Sequence, residues 1–174
     1  VRSRRLYSHR IIEEFMIAAN EAVARYFEAK KIPALFRVHE PPEKDKLRDF
    51  ERLLQGLGIG HRKITTPRAL QDVLNSVKES NYEFIVNRVL LRSMKQARYF
   101  ARNKGHYGLA SDSYLHFTSP IRRYPDLVCH RILKGALAGK QPVYDEEELA
   151  VMAAHLSERE RIVMEAEREL EDRI

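Results

Sequence analysis

Helical periodicity dominates this sequence, and between Arg98 and Phe117 it stops. Gly105, Gly108 and the Ser111–Ser113 turn punctuate the gap, flanked by Tyr107–Ala110 and Tyr114–Phe117, and that pattern predicts a short hairpin. The hairpin delivers the chain to His116–Arg131, HFTSPIRRYPDLVCHR. Ser119-Pro120 reads as an N-cap followed by a first-turn proline. Pro125 competes with that boundary, because it has no N–H to return to the Ile121 carbonyl. The helix therefore starts near Pro120 or at Pro125, and either start leaves Arg122 and Arg123 at a helix entrance. Guanidinium groups beside the unpaired N–H groups and positive dipole end of a helix suit a phosphate or a carboxylate. The alternative is a surface turn whose arginines are solvated or paired with nearby acids.

The other elements follow from period and punctuation. Residues 9–30 predict a long amphipathic helix with an apolar arc of Ile11, Ile12, Phe15, Met16, Ala19, Ala22, Val23, Tyr26 and Phe27. Glu13 and Glu14 lie near opposite edges of that arc, while Ile17, Ala18 and Ala24 fall on its polar side. Pro33 stops the helix, Ala34–Val38 reads as a short strand, and Pro41-Pro42 precede a charged helix over about 43–57. Thr66-Pro67 starts the next helix, ending near Glu79, and Asn81 is positioned to cap another that reaches about Gln96.

A helix then runs to about Ala138, and Asp145 with Glu148 opens the last one as a capping box. Its stripe is Leu149, Ala153, Leu156, Glu160, Val163, Glu167, Leu170 and Ile174. A buried carboxylate needs a cationic partner, a ligand or a route to water. Glu160 is expected in an internal salt bridge, and Glu167 faces the same requirement.

Charge is placed unevenly. Against a whole-chain net charge of +6, residues 98–134 alone carry +5, and six of the fifteen aromatics fall between Tyr99 and Tyr124. Cations interleaved with aromatics suit single-stranded nucleic acid, which offers phosphates to pair and bases to stack on. The competing possibility is a solvated charged face over an aromatic core. Hydrophobic residues make up 44% and charged residues 32%, a balance that predicts a globular chain rather than a disordered one. No apolar run reaches the roughly 18–20 residues of a membrane helix, so no membrane partner is expected. A single cysteine, Cys129, excludes an internal disulfide and predicts a reducing, cytoplasmic setting. With 174 residues and no linker, the expectation is one domain, 1–174. A start without Met and an end inside a helical pattern predict a piece of something longer.

The stretch TSPIRRYPDLVCHR, preceded by LLRSMKQARYF and GHYGLASDSYLHF, resembles the ribonuclease II / ribonuclease R family of RNB-type 3′→5′ exoribonucleases. SHRIIEEFMIAANEAVARYF is similar to an upstream helix of that family, and HLSERERIVMEAERELEDR to its closing helix. The likeness covers nearly the whole chain and is loosest over about 43–80. It implies an α+β, predominantly helical fold with a few short strands: the C-terminal part of an RNB catalytic domain.

The implied activity is processive release of 5′-mononucleotides from single-stranded RNA with Mg²⁺. By the same resemblance Arg122 grips the scissile phosphate; Ser119 and Arg123, at the same helix entrance, are expected to bind the substrate with it. Glu14 lies by the sugar, with Glu13 the alternative, and Glu167 reaches the same end of the RNA. The family's clustered metal-binding aspartates and its OB-type flanking domains have no counterpart here. The expectation is therefore half an active site, inactive alone, whose partners are RNA, the upstream part of the same protein and, through exposed core, a second copy. The rivals are a non-catalytic RNA-binding module that keeps the phosphate site, and a helical protein–protein scaffold.

Overall fold

The structure, a computed structural model, describes residues 6–60, 63–171 and 173. It is α+β and mostly helical. The elements are α1 (Tyr7–Ala29), β1 (Phe36–Val38), α2 (Lys44–Gly56), α3 (Pro67–Val77), α4 (Glu83–Ser93), β2 (Arg98–Phe100), α5 (Tyr124–Leu137) and α6 (Glu146–Glu171). They form two compact units. One gathers the described residues of Val1–Val38, Arg98–Lys104 and Ser113–Ile174, the other those of His39–Ala97 and Gly105–Asp112.

The first unit is built on a two-stranded antiparallel sheet in the register Phe36↔Phe100, Arg37↔Tyr99, Val38↔Arg98. Leu115 adds an isolated bridge to Phe36. Around the sheet, Phe27 of α1, Val128, Cys129 and Ile132 of α5, and Leu149 and Ala153 of α6 close one apolar core with Leu35 and Leu115. α6 is stitched to the sheet edge where the Tyr99 N–H donates to Ser157 Oγ at 2.9 Å. Its start is the expected capping box: Glu148 N donates to Asp145 Oδ1 at 2.8 Å and Asp145 N to Glu148 Oε2 at 2.9 Å. Cys129 is wholly enclosed, and burial pushes its thiol up to about 12.

The second unit packs α2, α3 and α4 around Phe50, Leu54, Ile64, Leu70, Val73, Val77, Val86 and Leu90. Thr66 Oγ1 accepts the Ala69 N–H at 3.2 Å with Pro67 in the first turn, as the sequence predicts. A tight loop over 105–112 belongs to this unit. It is closed by His106 N to Ser111 O at 2.7 Å and tied to His39 by Tyr107 N to His39 O at 2.8 Å. Within it a Cβ on Gly108 would lie 2.7 Å from His39 Nδ1, the atom that accepts the Gly108 N–H at 3.0 Å. Only glycine lets backbone and ring approach this closely.

Several expectations need correcting. Tyr107–Ala110 is not a hairpin arm: Tyr107–Leu109 is a 3₁₀ turn and Ala110 has φ 51°. The arms pair elsewhere, because β1 supplies an apolar strand edge that both Arg98–Phe100 and Leu115 use. Asn81 does not cap α4. The N-cap is Tyr82, whose N–H is taken by Ser80 Oγ at 3.2 Å, and the helix ends at Ser93. On α1 the arc is covered mainly towards its end, where Phe27 is buried and Val23 and Tyr26 are half-buried. Ile11, Ile12, Phe15 and Met16 are exposed, while Ala24, assigned to the polar side, is buried. The α6 stripe is covered as far as Glu160 and exposed from Arg161 onward, so Glu167 is not buried in this chain. Ile174 lies outside the described residues.

Gly108→Ala should therefore lower the stability of the chain by about 1–3 kcal/mol in urea unfolding, since the added Cβ must displace the His39 ring. An unchanged midpoint would mean that the ring steps aside at no cost.

Candidate functional site

The backbone from Tyr114 to Arg123 lies in neither a helix nor a regular strand, so side chains and neighbouring backbone must satisfy its polar groups. They come from three elements of the first unit. From β1, Arg37 N donates to Tyr114 O at 2.9 Å. From α1, the buried Asn20 accepts the Phe117 N–H on Oδ1 at 2.9 Å, and its Nδ2 donates to Tyr114 Oη at 2.9 Å. From α5, His130 Nε2 donates to Phe117 O at 2.9 Å, and its ring stacks on Phe117 with centroids 4.1 Å apart. The donor role puts the proton on Nε2, because a carbonyl can only accept.

The segment then turns into α5. Asp126, in the first turn of α5 and wholly buried, accepts Ser119 N at 2.8 Å on Oδ1. Arg123 forks onto the same carboxylate, Nε to Oδ2 at 2.9 Å and Nη2 to Oδ1 at 2.8 Å. The Ser119 carbonyl accepts from Arg122 N at 3.3 Å and Arg123 N at 3.1 Å. Helix α5 starts at Tyr124, one residue before Pro125, so the later of the two possible starts is the one adopted. Ile121 and Arg122 are both exposed on the turn, and the Arg122 guanidinium makes no hydrogen bond or ion pair with any other described residue.

The same unit holds a second polar network. Arg37 Nη1 pairs with Glu160 Oε2 of α6 at 2.6 Å, the internal salt bridge expected for that stripe position. The Arg37 guanidinium lies 4.8 Å from the centre of the Tyr99 ring, and a 3.0 Å hydrogen bond joins Tyr99 Oη to His116 Nδ1. Burial pushes the Tyr99 phenol up to about 12, with Arg37 opposing the shift and Glu160 adding to it.

Among the residues singled out in the sequence, Ser119 and Arg123 meet through Asp126, and Arg122 stands beside them. Glu14 and Glu167 are exposed on α1 and α6 and make no hydrogen bond or ion pair with Arg122. Asn20, Asp126 and His130 were missed. A polar Asn among the apolar residues of α1 and an acid three residues after an arginine were the available signals, and both are common on solvated helices. Among the described residues, no group of three or more His, Cys, Asp or Glu side chains is placed to hold a metal ion. Among the described residues the donors do not fit the Mg²⁺ that the resemblance implies. No described helix is long and apolar enough to cross a membrane.

The RNB domain family model matches residues 1–139. Ribonuclease R of Aquifex aeolicus is 45% identical over 170 residues, covering 95% of this chain and 24% of that protein. Ribonuclease R of Mycoplasma genitalium, solved in complex with ribose-methylated single-stranded RNA, superposes with a TM-score of 0.87 at 30% identity, over 98% of this chain and 28% of that one. Yeast Ssd1, described as a pseudonuclease, superposes with a TM-score of 0.79 at 28% identity, over 88% and 20%. The chain spans about a quarter of the length of the curated relatives it matches.

Two outcomes follow from the polar framework. Asn20→Leu keeps the volume but strands the Phe117 N–H and Tyr114 hydroxyl, and should cost at least about 2 kcal/mol in chemical unfolding. Tyr99 keeps its proton to about pH 12 when folded. Unfolded tyrosine loses its proton near pH 10. Its contribution is thus fully present below pH 10 and lost as pH rises through 12, so Tyr99→Phe should flatten the fall in stability across that window.

Proposed function

The chain belongs to the RNB domain family, and from that premise we propose that it is the C-terminal part of the catalytic domain of a 3′→5′ exoribonuclease. The whole protein hydrolyses single-stranded RNA to 5′-mononucleotides, and this part supplies charge and orientation at the reacting phosphate. Arg122 carries the reading: it lies within the family match, is exposed, has no anionic partner among the described residues, and stands on a turn held by a buried carboxylate. A guanidinium so placed stabilises charge that builds on the phosphoryl oxygens. Ser119, whose N–H is taken by Asp126, keeps its hydroxyl for the RNA. Glu14 accepts from a 2′-hydroxyl, the group that distinguishes RNA, and Glu167 reaches the same end of the strand.

The Mg²⁺ expected of the family is left to the upstream part of the same protein, and so is cleavage; the chain alone binds RNA without cutting it. The exposed apolar residues of α1 support that upstream part as its first partner. A cytoplasmic setting accords with a sole cysteine that is buried and protonated.

The likeness to yeast Ssd1 favours a second reading, a non-catalytic RNA-binding module that retains the phosphate site. One time course separates the two, following 5′- and 3′-labelled single-stranded RNA with Mg²⁺ in the protein extended upstream. Stepwise mononucleotide release supports the exoribonuclease, and salt-sensitive binding without cleavage supports the module. In the active protein Arg122→Ala should lower turnover by about 100-fold or more, the scale of losing one preorganised donor. Near-normal turnover would remove Arg122 from the reaction.

A further inference from the structure

We propose that Arg123 and Asp126 act as a positioning pair rather than an RNA contact, holding the Ser119–Arg123 turn so that Arg122 alone meets the phosphate. The proposal rests on the phosphate role given to Arg122 above. Two neighbouring arginines share one chemistry and differ entirely in commitment. Arg123 is partly buried and presents its Nε–Nη2 edge to a carboxylate that is 0% exposed, in a two-point fork at 2.9 and 2.8 Å. Moving that guanidinium onto a phosphate would leave a fully buried charge uncompensated, which the interior disfavours strongly. Arg122 carries no such obligation and is exposed.

The geometry gives the pair a purpose beyond holding itself together. Asp126 Oδ1 receives Arg123 Nη2 and Ser119 N together, each at 2.8 Å, so one oxygen links the two ends of the turn. Ser119 O closes the same arc by accepting from Arg122 N and Arg123 N. Both backbone polar groups of Ser119 are thereby fixed, as is the side chain of Arg123, and the intervening residues carry Arg122 outward. The approach to the turn is fixed as well, by Asn20 and His130 on Phe117. Asp126 also sits in the first turn of α5, where the helix dipole favours a negative charge. A fixed turn matters because a donor aimed in advance loses little on meeting the transition state, whereas a mobile one must first be ordered.

The test uses the full-length protein, with single-turnover rates, kcat and KM on single-stranded RNA, and RNA affinity across a salt series. Asp126→Asn keeps the shape and an acceptor for Ser119 N but removes the charge that holds Arg123. Arg123→Lys keeps the charge but loses the fork. Each should lower the rate by about tenfold or more with KM within about twofold, and each should cost less than about twofold once Arg122 is already alanine, because positioning has value only through the group positioned. Arg122→Ala should reduce the salt slope of RNA binding by about 0.7, the single-strand value for one phosphate contact, and Arg123→Gln should leave it unchanged.

Equal losses with and without Arg122 would make the pair merely structural and overturn the proposal. A slope reduction in Arg123→Gln matching that of Arg122→Ala would overturn it too, by making Arg123 a phosphate ligand. Near-normal turnover in Arg122→Ala alone is a separate failure, which removes the phosphate role itself and this proposal with it. Should Asp126→Asn not fold, Arg123→Lys, at a partly exposed position, carries the same comparison.

Discussion

A carboxylate with no access to water sits at the head of α5, and the local structure around it follows from its need for partners. Burying an ionised carboxylate is tolerable only when donors fill its acceptor sites. Asp126 finds three, two from Arg123 and one from the Ser119 backbone. That requirement draws a stretch of irregular chain against the helix and sets where the helix begins. It also divides two adjacent arginines into one that is bound and one that, among the described residues, is not. The interaction is strong because it is charge-assisted and bidentate, with the carboxylate itself shielded from water. It is local as well, its ends lying only seven positions apart in the chain.

Longer-range contacts hold the rest of the segment. Asn20 reaches it from α1, across about a hundred residues of sequence, and satisfies one backbone N–H and one phenol at once. Arg37 on β1 joins the strand pair to α6 through Glu160 and covers the Tyr99 ring. These polar groups sit beside an apolar core of Phe27, Leu35, Leu115 and Val128, whose burial supplies the main driving force. The core brings the elements together, and the polar contacts select one arrangement of the irregular segment among the many that the same burial would allow. The three-helix unit around Phe50 and Leu54 has its own core and, in Gly108 against His39, its own demand for close approach.

Helix positions were legible because their causes are local. Thr66-Pro67 and the Asp145/Glu148 capping box act within one turn, and both are present as read. Glu160 was legible too, since a carboxylate in an apolar stripe must find a cation, although nothing local named Arg37 as that cation. The hairpin reading failed where the partner was distant: Arg98–Phe100 and Leu115 pair with β1, some sixty to eighty residues upstream. The first half of the α1 arc and the second half of the α6 stripe are exposed in this chain. A periodic apolar face states that a surface can be covered without stating that this chain covers it.

By itself, the sequence determined the helical character of the chain, most of its helix starts, its unequal charge distribution and the TSPIRR motif that carries its family likeness. Each of these depends on neighbours within a few positions or on composition. The tertiary structure alone decided that Arg123 is spoken for and Arg122, among the described residues, is not, that Asn20 and His130 hold Phe117, and that β1 takes its partners from far along the chain. Those outcomes depend on which buried groups lack water and which donors lie within about 3 Å of them. Spacing along the chain does not encode such distances until the core has closed.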